Sequence, residues 1–139
     1  MRTWPIVAAI IVLSAVAQTL GMAEEQPRPP QERGLRVIRH VITTGVVNRE
    51  PIDAATVFPP SVGILYYFTE FQGAAGPTPI HHVWYYQDER VLEIPLIVEA
   101  GRWRIWSRKE IRANRIGTWK VEAVDRDGRV LSSQTFNVH

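Results

Sequence analysis

From Leu35 onward, apolar and polar positions alternate in short runs rather than recurring every third or fourth residue, which is the period of strands and not of helices. "LRVIRHVITTGVV" is rich in β-branched residues, and "SVGILYYFTEF" follows Pro59-Pro60. "IHHVWYYQ", "RVLEIPLIV", "RWRIWS", "GTWKVEAV" and "RVLSSQTFNV" complete the series. Side chains of this kind fit a pleated, half-buried surface. Turn chemistry separates the runs: a Gly/Pro-rich loop from Gly73 to Pro79, Gln87-Asp88-Glu89, Ala100-Gly101, and Asp127-Gly128 as a hairpin signal between the last two strands. The one helix-like piece is "SRKEIRANR", where Ser107 and Glu110 have capping-box spacing. The pattern predicts an all-β domain, an immunoglobulin-like antiparallel β-sandwich of about seven strands.

Ahead of the strands the chain changes character twice. Arg2 precedes an uncharged run whose centre is "IVAAIIVLSAVA", and small residues follow at signal-peptidase spacing in Ala15-Val16-Ala17 and Gly21-Met22-Ala23. Residues 1–23 therefore read as a signal peptide cleaved after Ala23. The alternative is an uncleaved anchor, since about 20 uncharged residues can span a bilayer. Residues 24–34, "EEQPRPPQERG", hold three prolines and no large apolar side chain, so they form an extended linker. The domain itself is expected over residues 35–139, in the periplasm or outside the cell.

Composition narrows the function classes. With 45% hydrophobic and 22% charged residues the chain can fill one core. A net charge of +2 is too small for the usual nucleic-acid binder. The absence of cysteine removes disulfides, thiolate nucleophiles and Cys-ligated metals.

Alternation also separates the two adjacent histidines. If Trp84 points into the sandwich, Ile80, His82 and Tyr86 share its face while His81, Val83 and Tyr85 face away. No metal site and no cofactor are expected, and His82 is expected to be buried, bonded to a loop carbonyl or to the Glu70 carboxylate. Catalysis finds no support: there is no G-x-S-x-G, and nothing in the sequence sets a base beside Ser107, Ser132 or Ser133. Glu70 with Glu93 or Glu99 is not a recognisable acid pair. "DRDG" at Asp125 to Gly128 lacks the rest of a calcium loop and reads as the hairpin.

On "GRWRIWSRK", placing Trp103 and Ile105 inward puts Arg102, Arg104, Trp106 and Arg108 on the opposite face. Guanidiniums around an indole suit an anionic or carbohydrate partner. The competing expectation is that these arginines pair across strands with Glu93 or Glu99 while their stems cover Trp106.

"YYFTEFQG", "IHHVWYYQDERVLEIPL", "GRWRIWSRKEI" and "GTWKVEAVDRDGRVLSSQTFNV" together resemble the bacterial family known as domain of unknown function 2914, over about residues 36 to 138. The resemblance rests on an ordered set: Phe68-Thr69-Glu70; His82 to Tyr86; Arg102-Trp103-Arg104 with Trp106-Ser107; then Gly117 and Trp119 ahead of Asp127-Gly128. It implies export or membrane attachment in bacteria and no known activity. The segment after Trp106, with Arg108 and "ANR", is more basic than the family pattern leads one to expect. Glu70, His82, Trp84, Trp103, Trp119, Asp127 and Gly128 are assigned structural roles. The reading is a non-catalytic accessory or protein-interaction module of the cell envelope, bound to another envelope protein. A glycan- or anionic-polymer-binding domain is the alternative and a small hydrolase the third. Nucleic acid is not an expected partner, and the membrane is one only through an uncleaved N-terminus.

Overall fold

The computed structural model describes residues 34–139 and Gly21. The signal-peptide reading of residues 1–23 and the linker reading of residues 24–34 fall, but for Gly21 and Gly34, outside the described residues. Among the described residues ten strands form: β1 (Arg36–Thr43), β2 (Gly45–Val47), β3 (Glu50–Ile52), β4 (Val57–Phe58), β5 (Gly63–Ala74), β6 (Thr78–Tyr86), β7 (Glu89–Val98), β8 (Gly101–Ile111), β9 (Gly117–Asp125) and β10 (Val130–Val138). The seven long ones lie in the seven runs legible in the sequence, the first of which breaks after Thr43 so that its end forms β2; β3 and β4 are short additions.

The long strands make two sheets, one of order β1-β5-β8 and one of order β4-β10-β9-β6-β7. This is the immunoglobulin arrangement, with β1, β5 and β8 in the places of strands A, B and E, and β10, β9, β6 and β7 in those of G, F, C and C′. The two-residue β4 runs parallel to β10, the exception to an otherwise antiparallel ladder. Between the sheets lie Leu65, Tyr67 and Phe71 from β5, Ile80 and Trp84 from β6, Trp119, Val121 and Ala123 from β9, and Phe136 from β10. Every second residue faces this layer, as a period of two requires. Trp84, on the C-equivalent strand, is fully buried and meets Phe136 edge-on, while Trp119 stacks on Phe136.

The proposed helical piece is overturned. β8 continues through Ser107 to Ile111, and Ser107 is a strand residue rather than a helix cap. Trp103, Ile105, Ser107, Lys109 and Ile111 already alternate, and the twelve-residue β5 offers a partner for the whole length. Pairing along a long neighbour outweighs a local capping signal worth about 1 kcal/mol. The other turns behave as their residues demand. Gln87 and Asp88 both have positive φ (45° and 66°), the two-residue hairpin geometry. The Asp125 carboxylate accepts from the N–H groups of Asp127 and Arg129, and Gly128 takes φ +82°. The aspartate is thus occupied in closing the hairpin. Gly73 admits no side chain, because a Cβ there would lie 2.1 Å from the Gly34 carbonyl oxygen.

Candidate functional site

The outer face of the three-stranded sheet carries Arg102, Arg104, Trp106 and Arg108. β8 pairs with β5 so that Arg104 lies opposite Glu70, Trp106 opposite Phe68 and Arg108 opposite Tyr66. On the other side of β5, β1 sets Arg39 opposite Glu70 and Val41 opposite Phe68. Alternation turns Leu65, Tyr67 and Phe71 into the sandwich, so Phe68 and Glu70 point outward. Both are nonetheless fully buried, because arginines, the indole and the β2–β3 hairpin lie over them.

Glu70 is the centre of this cover. Its Oε2 accepts from Arg39 Nε at 3.0 Å, and its Oε1 accepts from Arg102 Nε and lies 3.4 Å from Arg104 Nε. The β3 residue Glu50 supplies a second carboxylate, 3.0 Å from Arg39 Nη1 and 2.6 Å from Arg104 Nη1. The hairpin that carries Glu50 is fastened by Thr43, whose hydroxyl donates to the Ile52 carbonyl. On the same hairpin, Arg49 donates to the Arg104 carbonyl at 3.4 Å and lies over the Trp103 ring. Burial alone would raise the Glu70 carboxyl, but the Arg102 and Arg104 guanidiniums more than offset it and hold it below the usual range. The Arg39 hydrogen bond likewise lowers Glu50, and Glu50 in turn raises Arg39.

This geometry corrects the expected pairing. The arginines are paired, but with Glu70 and Glu50, not with Glu93 or Glu99; Glu93 instead accepts from Arg90 at 2.9 Å. Trp106 is half-buried, stacked on Phe68 with 6.1 Å between centroids and 13° between planes, while Arg39 lies over Phe68 itself. Three guanidiniums against two carboxylates leave one positive charge on the cluster. Arg102 keeps 65% of its side chain exposed. Arg108 is exposed and, among the described residues, has no carboxylate within 4 Å.

The second candidate lies between the sheets. His82 faces inward and His81 outward, the latter 4.0 Å from Glu93. His82 bonds neither a loop carbonyl nor Glu70, which lies on the opposite face of β5. Its partners are Thr69 and Ser107. Trp84 Nε1 can only donate and gives its proton to Ser107 Oγ at 3.0 Å. Thr69 spends its one hydroxyl proton on the Ile105 carbonyl and can only accept from the ring, so the neutral imidazole accepts from Ser107 Oγ at Nδ1, 2.8 Å away, and carries its proton on Nε2. That proton is directed at Thr69 Oγ1, 3.1 Å away, and Thr69 donates onward to the Ile105 carbonyl at 2.9 Å. Each member of the chain gives one hydrogen bond and each acceptor receives one. Burial pushes the imidazole down to about 3, so it is neutral near pH 7.

Ser107 thus has a histidine beside it, a neighbour that no spacing along the chain reveals. His82 is 0% and Ser107 5% exposed, and the pair is sealed in the core. Of the other residues assigned structural roles, Trp119 is buried and donates to the Arg115 carbonyl at 3.0 Å. Trp103 is half-buried against the core, its indole N–H buried without a partner. Glu50, Arg39 and Thr69 escaped sequence reasoning, because only strand register brings them to Glu70 and His82.

Fold and site together define an immunoglobulin-like β-sandwich with a hydrogen-bonded polar core and an arginine-covered outer sheet. Residues 77–138, from just before β6 to the end of β10, match the family described as "Protein of unknown function (DUF2914)", and over that stretch the chain is similar to it. Phe68-Thr69-Glu70, which contributes to the motif resemblance, precedes the matched stretch. No curated protein matches the chain. Among solved structures, the crystal structure of a selenomethionine-labelled β-glucosidase from Kluyveromyces marxianus is similar at 11% identity and a TM-score of 0.44. The likeness covers 76% of this chain and 14% of that one, and at that score it carries no weight for function.

Proposed function

We propose that this protein is a non-catalytic, exported interaction module of the bacterial cell envelope, which presents the outer face of its three-stranded sheet to another envelope protein. One observation supports this reading above the others: Ser107, His82, Glu70 and Glu50 are engaged within the fold, whereas Arg102 and Arg108 on one sheet face remain turned to solvent. Ser107 and His82 satisfy each other out of reach of substrate, and an imidazole held near 3 is a poor general base at neutral pH. Glu70 and Glu50 are held ionised by arginines, so neither is suited to act as a general acid. A hydrolase built on these groups would need at least one of them released.

The surplus positive charge and the unpaired Arg108 favour one second reading, binding of an anionic polymer through guanidinium forks. Affinity capture of the tagged chain from its native envelope, beside Arg102→Ala/Arg108→Ala, separates the two. A specific protein lost in the variant supports the interaction module. Polysaccharide alone supports the second reading, and turnover of an ester or glycoside that survives purification overturns both.

A further inference from the structure

At the end of the sandwich formed by the β6–β7 turn, the end of β8 and the β8–β9 loop lies a groove of about 360 Å³. Its wall is cationic: Lys109, Arg112, Arg115 and Arg90 line it above Trp119, with Glu89 and Glu110 also present. Arg90 is paired with Glu93. The other three cations have, among the described residues, no carboxylate within 4 Å.

The loop that carries Arg112 and Arg115 is pinned at several points. Arg115 N–H donates to the Arg112 carbonyl at 2.9 Å, Trp119 Nε1 to the Arg115 carbonyl at 3.0 Å, and the Tyr86 hydroxyl to the Ile116 carbonyl at 2.6 Å. Gln87 N–H closes the base on the Thr118 carbonyl. The Arg115 guanidinium is held 5.1 Å from the Tyr86 centroid. Lys109 projects from the inward-facing side of β8, its ammonium 6.0 Å from the Trp119 centroid and bonded to the Glu110 carbonyl oxygen at 3.2 Å. One donor of three is used there, and the rest are left to the groove.

Like charges on a fastened loop and on the adjoining end of β8, with unused donors lining one concavity, form a site for a group with several acceptor oxygens. Burial, then Arg112 and Arg115, lower the Lys109 ammonium, a repulsion that a bound anion would relieve. Arginine forks and an ammonium point charge are the complementary means of holding phosphate. The volume leaves room for a small substituent beyond one tetrahedral anion.

We infer that the groove between Lys109, Arg112 and Arg115 binds a phosphate group, either of a soluble phosphate monoester or of a lipid headgroup. This goes beyond the interaction face proposed above, since it uses other side chains at one end of the sandwich.

The test follows the Lys109 side-chain NMR signals of the full chain during titration with inorganic phosphate, against sodium chloride of matched ionic strength. Flotation with vesicles containing phosphatidic acid runs in parallel. Saturable, phosphate-dependent shifts with a rise in the Lys109 pKa are expected, weakened at least tenfold in Arg112→Gln and further in Arg112→Gln/Arg115→Gln. Thermal melts of both variants should match the parent. Binding to vesicles with little response to free phosphate assigns the site to a lipid, and the reverse assigns it to a soluble ester. Equal shifts with chloride and phosphate, or binding undiminished in both variants, would overturn the inference.

Discussion

Lowering the pH should unload the buried imidazole network in a defined window. In the folded chain His82 is neutral and held at about 3, against an ordinary value of 6.5. A group whose folded pKa is depressed binds its proton more readily when unfolded, so its contribution is complete above 6.5 and declines as pH falls toward 3. Within that window each pH unit costs about 1.4 kcal/mol, so pH 4.5 should cost about 2–3 kcal/mol relative to neutrality. That is a large share of a typical domain stability of about 5–15 kcal/mol. His40, also lowered by burial, acts in the same direction; Glu70 and Glu50, lowered by arginines, give up stability only below about 4.5. Urea unfolding followed by tryptophan fluorescence at pH 7.0, 6.0, 5.0 and 4.5 reads the slope, with His40→Ala separating the minor contributor. His82→Gln should be less stable at pH 7.0, by about 1–3 kcal/mol for the disrupted buried hydrogen bonds. Its stability should also fall less steeply with acid. A parent whose stability is flat from pH 7.0 to 5.0, or a His82→Gln slope equal to the parent's, would refute the account.

Two further perturbations address the outer sheet. Glu70→Gln leaves Arg39 and Arg104 with Glu50 and takes from Arg102 its carboxylate, and should cost about 1–3 kcal/mol, below the full cost of breaking a buried pair because the guanidiniums keep contact with water. A double-mutant cycle with Arg104→Ala measures the coupling, and additive losses would show that the pair contributes nothing. Trp106→Ala uncovers Phe68 and should cost about 1.5–3 kcal/mol in apolar burial and stacking. A melting temperature that stays put would mean the indole is surface decoration and return it to the list of ligand contacts.

Local chemistry determined much of this protein. Alternation in "IHHVWYYQ" is enough to turn Trp84 and His82 inward and His81 outward, and in "GRWRIWSRK" to put Arg102, Arg104, Trp106 and Arg108 on one face, because the side-chain period of a strand is fixed by its pleat. Asp127-Gly128 set a hairpin because Gly128 alone accepts the positive φ the turn needs. What each outward side chain touches was settled only by tertiary structure. Glu70 meets Arg39 and Arg104 because β1 and β8 flank β5 in a particular register, and Glu50 joins them because a short hairpin folds over that sheet. Ser107 meets His82 because two sheets close face to face. Such contacts depend on how distant segments pair, and no spacing along the chain encodes that. The same cause extended β8 through a segment with a helix-capping signal: a long partner strand outweighs the preference of a few neighbouring residues.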